Sequence, residues 1–326
     1  MRATVLTVAD PEIGIGHLSR CDALGRALES EGCPYDLVVN CEAGDDWLRE
    51  RLAGSGFARR AWSCDIEDVR SSIAGAELVV VDTYTIAAPV WSYLQEHALR
   101  LVVFDDYGAT VPKRGIVVNG SPGAELVGYP DRARVRYLLG IDYQVLRPPF
   151  WTRPTHRIPG KLKTVGVMMG GTDHRELTWR VVRVLEDVIP ADVKIHVIGA
   201  IDESNLSGRT STSGFLSAIG VKSVFDSIDL LISAAGQTVA EAVACLAPTI
   251  SLQTADNQRM NVEGWTGQGA VLHAGEVSEA GWEDRLQRQA HTAIAAAPRR
   301  ELVDKMRQLD LSLSTRKLAR ILVREI

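Results

Sequence analysis

The chain alternates between short, continuously apolar runs and longer stretches in which apolar residues return every three or four positions. Apolar, β-rich runs lie at 4–8, 35–39, 77–81, 100–104 and 116–118. A run as uniform as Leu78-Val79-Val80-Val81 suits a parallel strand covered by helices on both faces. Leu18, Cys21, Leu24 and Leu28 form one apolar face of a helix predicted over 18–28 and stopped at Gly32. The pattern predicts a doubly wound α/β domain over 1–150. The stretch 148–163, PPFWTRPTHRIPGKLK, then breaks the period with four prolines, a glycine and five basic residues, and 151–163 reads as a linker. A second series of strands comes next at 164–169, 194–198, 230–233, 249–252 and 270–273, with helices over 177–188 and 239–246 between them. It predicts a second Rossmann-like domain over 164–326. The tail, STRKLARILVREI, puts Leu318, Ile321 and Leu322 on one face of an amphipathic helix, with the option of packing back on the first domain. In open parallel sheets ligands bind beyond the carboxyl ends of the strands, so two such domains are expected to face a cleft.

Composition narrows the classes. The 326 residues include 46% hydrophobic ones, enough for two ordinary cores. A formal net charge of −5 argues against a nucleic-acid binder. The segment 1–8 is a short apolar strand followed at once by Asp10, Pro11 and Glu12, unlike a signal peptide, and no apolar run approaches the length of a membrane span. The cysteines at 21, 33, 41, 64 and 245 are scattered and odd in number, as in a cytoplasmic protein with reduced thiols. The histidines are equally dispersed, without the spacing of a zinc site.

Candidate chemistry gathers where strands hand over to helices. In EIGIGHLSRC, Gly14 and Gly16 allow a tight turn, and His17 falls near a helix N-terminus, where free N–H groups and the dipole attract anions. The same stretch is equally compatible with an ordinary turn carrying a chance histidine. As a dinucleotide fingerprint it is incomplete, with Ser19 in place of the third glycine and Asn40 and Glu42 after the second strand. Asp82 and Tyr84 follow one strand, and Asp105 and Asp106 another. A pair of carboxylates without a third ligand reads as a solvated loop, so no metal is expected. In the second half, Gly170 and Gly171 end a strand, with Thr172 or Asp173 as a cap for the next element. Gly236, Gln237 and Thr238 open a helix whose backbone amides suit a diphosphate. Glu241 suits the two ribose hydroxyls of a nucleotide. Thr238-x-x-Glu241 is also a capping box, and spacing alone favours the cap. Asn257 and Gln258 suit sugar hydroxyls or N-acyl groups, or simply a polar surface loop.

Taken in order, several motifs match one family. They are Ile13-Gly14-x-Gly16-His17-x-x-Arg20, Asp82-x-Tyr84, Phe104-Asp105-Asp106, Gly140-x-x-Tyr143-x-x-Leu146-Arg147-x-x-Phe150, Met169-Gly170-Gly171-Thr172-Asp173, Ile232-Ser233-Ala234 with Glu241, and Asn257-Gln258. Over nearly the whole chain they resemble the GT-B-type nucleotide-sugar enzymes related to the pseudaminic-acid pathway hydrolase of UDP-2,4-diacetamido-2,4,6-trideoxy-β-L-altropyranose, and more distantly the MurG-like glycosyltransferases. The resemblance implies a GT-B-like fold. It implies that His17 orients or deprotonates the nucleophile, that Tyr84 lies near the reacting sugar and that Asn257 contacts substrate. It further implies substrate binding by Gly16, Arg20, Asp106 and Gln258, and UDP binding by Gly170, Gly171, Thr172, Gly236, Gln237, Thr238 and Glu241.

Two departures bear on the substrate. Leu6 and Val8 stand where these hydrolases carry an Arg-x-Asp, and Gly236-Gln237-Thr238 stands where relatives often have Gly-Gly-Ser-Thr. The resemblance therefore implies a kept nucleotide end and an altered sugar end. The resulting expectation is a UDP-sugar-dependent glycosyltransferase, without metal or other cofactor, that attacks the anomeric carbon with inversion. Its partners are a UDP-sugar donor and a small-molecule acceptor, for example a small heterocycle or nucleoside base as in the cytosylglucuronic acid synthases, onto which no residue here is mapped. The alternatives are hydrolysis with water as nucleophile and non-catalytic nucleotide-sugar binding. A homodimer is left open.

Overall fold

The computed structural model describes residues 1–12, 14–52, 54–154, 160–170, 177–199 and 207–325. The chain divides into two compact units, Met1–Pro148 with Leu313–Ile326, and Pro149–Ser312. In the first, the elements are β1 (Ala3–Val8), α1 (Gly16–Ser30), β2 (Tyr35–Asn40), α2 (Asp45–Arg51), β3 (Ala58–Arg59), α3 (Ile66–Ile73), β4 (Leu78–Asp82), α4 (Ala88–His97), β5 (Leu101–Phe104), β6 (Gly115–Asn119) and β7 (Val135–Leu139). The strands form one parallel sheet in the order β3-β2-β1-β4-β5-β6-β7. Every residue of β1 and β4 is buried. Central parallel strands lose both faces to helices, which is why these two read as unbroken apolar runs.

The second unit repeats the plan with β8 (Thr164–Met168), α5 (Leu177–Val188), β9 (Lys194–Val197), β10 (Thr210–Thr212), α6 (Ala218–Ser227), β11 (Leu230–Ala234), α7 (Gln237–Ala244), β12 (Thr249–Gln253), α8 (Arg259–Gly267), β13 (Leu272–Glu276), α9 (Trp282–Ile294) and α10 (Ala296–Gln308). Its parallel sheet runs β10-β9-β8-β11-β12-β13. Its main core joins Val165, Val167, Val181, Leu185 and Ile232 to Trp282 and Leu286.

The last helix, α11 (Ser314–Arg324), belongs to the first unit although it comes after the second in sequence. Leu318, Ile321 and Leu322 are buried on its apolar face, and the helix packs on α1. Polar contacts fix its start and its end. Ser314 Oγ donates to the Gln144 carbonyl at 2.6 Å, and Thr315 Oγ1 accepts from Leu146 N at 2.8 Å. Arg320 and Arg324 both reach Glu31, just past α1, at 3.3 and 3.0 Å.

Gly120 sits against that anchor. A Cβ there would lie 2.6 Å from Gln144 Cα and 2.8 Å from the Tyr143 carbonyl oxygen, both backbone atoms. Gly120→Ala is therefore expected to lower stability by about 1–3 kcal/mol, the range for an overpacked site. Urea unfolding measures it, and an unchanged midpoint would show that the 143–144 segment shifts without cost.

Candidate functional site

Strand order in the first sheet reverses between β1 and β4, and the carboxyl ends of these strands mark the place where open α/β sheets bind ligands. Beyond β1, Asp10 and Gly14 pair as an isolated bridge, and Gly14 takes φ +83°, a conformation that costs glycine nothing. This turn feeds α1, which begins at Gly16, two residues earlier than its apolar period suggests. His17 consequently lies within the first turn of the helix rather than ahead of it.

Asp82, the last residue of β4, is the hub. It is fully buried. Its Oδ1 lies 2.7 Å from His17 Nδ1 and 2.8 Å from Arg20 Nη2, and its Oδ2 accepts from Arg20 Nε at 2.8 Å. Arg20 spans to a second carboxylate, with Nη1 and Nη2 at 3.2 and 3.3 Å from the two oxygens of Asp106. Asp106 in turn accepts from Tyr84 Oη at 2.8 Å. The Tyr84 ring meets the His17 ring edge-on, with centroids 4.4 Å apart, and Arg20 lies over the Phe104 face at 4.6 Å.

The electrostatics result from this packing. Burial works to raise the Asp82 carboxyl, but the Arg20 guanidinium and the His17 ring outweigh it and hold Asp82 well below the usual carboxylate range. Burial likewise works against the Arg20 cation, and Asp106 and Asp82 more than offset it. Desolvation of the Tyr84 hydroxyl, followed by the neighbouring Asp106 charge, pushes that phenol far above its ordinary value. Tyr84 is thus a neutral donor here. The ionised Asp82 engages His17 through Nδ1, so Nε2 is the ring nitrogen that this carboxylate leaves unengaged.

Asp105 and Asp106 are adjacent but have different jobs. Asp105 turns inward to cap its own loop, accepting from the backbone N–H groups of Tyr107, Gly108, Ala109 and Thr110. That loop holds Tyr107 5.2 Å from Tyr84, ring centroid to ring centroid. Tyr84 and Tyr107 are 43% and 45% exposed, so they form an aromatic surface beside His17.

In the second unit the order reverses between β8 and β11. Ser233 Oγ on β11 donates to the Met168 carbonyl at the end of β8, 3.0 Å away, tying the two strand ends together. Gly170 lies just past β8 with φ +101°. Gly171 and Thr172 lie outside the described residues. Gly236 is the N-cap of α7, which places Gln237 and Thr238 in the first turn and buries Glu241 one turn further in. The capping-box reading of Thr238 and Glu241 is corrected by this register. A box needs its hydroxyl residue at the N-cap and its Glu three residues later, whereas here the cap is a glycine and α7 has no side-chain cap. Gln258 lies beside Gly236, since a Cβ there would come within 3.9 Å of its Nε2. Its amide is engaged by its own loop, with Oε1 accepting from Thr254 N at 2.8 Å. Asn257 is exposed in the short 3-10 turn Asp256–Gln258 after β12.

The expected residues thus fall into two groups. His17, Arg20, Tyr84 and Asp106, with Gly16 alongside, form one continuous network in the first unit, while Gly170, Gly236, Gln237, Thr238, Glu241 and Gln258 lie at or next to the carboxyl ends of β8 and β11 in the second. Arg20, expected to contact substrate, bridges the carboxylates of Asp82 and Asp106. Asp82 carries no assigned role in the sequence reading, yet it holds His17 and Arg20. The available signal was a carboxylate ending the apolar run LVVVD, where a charge is buried only if paired. Leu6 and Val8, at the positions of the missing Arg-x-Asp, are core residues of β1. Among the described residues no helix is long and apolar enough to cross a membrane.

No family model matches the chain. Among curated proteins it is similar to the Helicobacter pylori (strain ATCC 700392 / 26695) pseudaminic acid cytidylyltransferase and UDP-2,4-diacetamido-2,4,6-trideoxy-beta-L-altropyranose hydrolase, at 24% identity over 250 residues and 75% of this chain. The chain spans 43% of that relative's length. Among solved structures it is similar to the glycotransferase of kitacinnamycin, with a TM-score of 0.68, 14% identity and 99% of each chain covered. Against Acinetobacter baumannii MurG the TM-score is 0.64 at 13% identity, covering 99% of this chain and 100% of the other. Against the spinosyn rhamnosyltransferase SpnG complexed with thymidine diphosphate it is 0.61 at 14% identity, covering 96% and 98%. With two parallel α/β units and these neighbours, the chain has the GT-B fold.

Proposed function

We propose that the chain is a nucleotide-sugar enzyme that transfers a glycosyl group from a UDP-sugar to a small-molecule acceptor. The observation that carries this reading is the buried Asp82–His17 pair at the strand switch point of the first unit. The acceptor X–H gives its proton to His17 Nε2 as X bonds to the anomeric carbon, and the bond from that carbon to the diphosphate oxygen breaks with its electron pair leaving on UDP. One displacement of this kind inverts the anomeric centre. The leaving diphosphate is stabilised at the N-terminus of α7, where Gln237 and Thr238 begin the first turn and the helix dipole favours negative charge. Glu241 accepts from the ribose hydroxyls. Tyr84 and Tyr107 offer an aromatic face to a planar heterocycle or to the apolar face of a sugar. A second reading, hydrolysis with water as X–H, is favoured by the hydrolase activity in the name of the curated relative.

The test is UDP release from a panel of UDP-sugars with and without candidate acceptors, after thermal-shift ranking of UDP, dTDP, GDP and NAD. Release only with an acceptor supports transfer, and release in water alone supports hydrolysis. Preference for NAD, or the absence of uridine-nucleotide binding, would overturn both. Glu241→Ala is expected to weaken UDP binding by about 10- to 100-fold, the loss of a charge-assisted hydrogen-bonded contact. Calorimetry reads it, and a lowered melting temperature with unchanged UDP affinity would give Glu241 a purely structural role.

A further inference from the structure

The first unit has a cavity at the end of its sheet opposite the His17–Asp82 network. This cavity of about 420 Å³ opens at the amino-terminal ends of β5, β6 and β7 and is lined by Arg100, Arg114, Arg134, Arg136 and Glu325 among others. Its volume falls in the range of small-molecule sites. The strands are parallel, so this end is the one away from Asp82 and His17.

Charge makes the cavity unusual in this chain. Four arginines against one glutamate leave a local excess of three positive charges, on a protein whose formal net charge is −5. The arginines are also crowded. Gly115 and Val135 are register partners, and Gly115 N donates to the Arg134 carbonyl at 3.0 Å, so Arg114 and Arg134 stand side by side just ahead of neighbouring strands. Arg136 lies on β7, two positions after Arg134. Like charges side by side across strands repel. Only Arg136 has a carboxylate partner in the cavity, with Nη2 at 3.2 Å from Glu325, and among the described residues no carboxylate pairs with Arg114 or Arg134. Arg100 reaches Met1 Sδ instead. Several arginines lining one cavity, two of them without a carboxylate partner among the described residues, match the oxygens of a phosphoryl group, since each guanidinium fork can bind two at once.

We propose that this cavity is a binding site for a small phosphorylated anion carrying at least two negative charges, of the diphosphate class. The site is separate from the reaction proposed above and does not depend on it. Glu325, at the end of α11, competes with the ligand for Arg136 and lowers its affinity.

The probe is inorganic diphosphate, titrated calorimetrically into the full chain at low salt. Binding is expected, and it should weaken as salt is raised because the arginines are largely exposed. The double variant Arg114→Ala/Arg134→Ala should bind diphosphate at least about tenfold more weakly, the worth of one lost charge-assisted contact. Glu325→Gln should bind it more tightly than the unmodified chain. UDP titrated into the double variant is the control for the second unit and should bind as before. Diphosphate affinity that is undetectable, or equal in the unmodified chain and the double variant, would overturn the proposal. So would tighter binding by neither Glu325→Gln nor Glu325→Ala. A parallel loss of UDP affinity in the double variant would mean that the arginines act on the whole chain rather than on a local ligand.

Discussion

His17→Ala is expected to lower turnover of the preferred UDP-sugar by about 10²–10⁴-fold, the usual contribution of a positioned general base. UDP itself should bind the variant as it binds the unmodified chain, because the groups proposed to hold UDP lie in the second unit. The physical basis is the 2.7 Å contact between His17 Nδ1 and Asp82, which leaves Nε2 as the nitrogen that Asp82 does not engage. The measurement is a split between kcat and nucleotide affinity, with kcat falling and the UDP dissociation constant holding. If kcat stays within a few-fold, the proton goes elsewhere and the assignment of His17 fails. Tyr84 is a poor substitute base, since its phenol is held protonated far above its ordinary range.

Asp82→Ala should damage both stability and activity. The carboxylate is fully buried and holds Arg20, whose side chain is 14% exposed, and His17, at 7%. Removing one member of a buried ionic group leaves the others without compensation, at a cost of about 3–5 kcal/mol. Asp82→Asn keeps the shape and separates the two effects. It is expected to retain more stability than the alanine variant while losing turnover, because an amide no longer holds the Nδ1 hydrogen of His17 by charge. The acid limb of stability provides a second readout. The folded-state pKa of Asp82 lies below its unfolded value of about 3.9. A depressed carboxyl contributes stability that is fully present above the unfolded value and is lost as pH falls through the folded one. Denaturant midpoints should therefore drop below about pH 4 more steeply in the unmodified chain than in Asp82→Asn. Matching acid limbs would mean that the Arg20 and His17 contacts do not stabilise the Asp82 charge.

Most of the architecture is legible as hydrophobic period. β1, β4 and β5 are apolar runs because they lie at the centre of a sheet, and α11 shows its buried stripe of Leu318, Ile321 and Leu322 directly. Three strands carry no such signal. β3 and β10 are only two and three residues long, and β7 alternates Val135-Arg136-Tyr137 at the sheet edge, where one side meets solvent. They are recognisable only through the neighbours they pair with. α7 makes the same point at a helix end. Thr238-x-x-Glu241 has the spacing of a cap, but the chain enters the helix at Gly236, and the local motif does not encode that entry point.

For the candidate site, residue types at strand ends were visible and their partners were not. Asp105 and Asp106 are adjacent and chemically identical, yet one closes its own loop and the other receives Arg20 and Tyr84. His17 and Asp82 are 65 residues apart, and Arg20 and Asp106 are 86 apart. By itself the sequence determined which segments bury apolar surface and with what period, because burial of a face is a local property of helix and strand geometry. The tertiary structure alone decided that Asp82 serves His17 and Arg20, because strand order in a parallel sheet brings β1 and β4 together across intervening elements. A buried charge is settled only by the partners that such a crossover delivers.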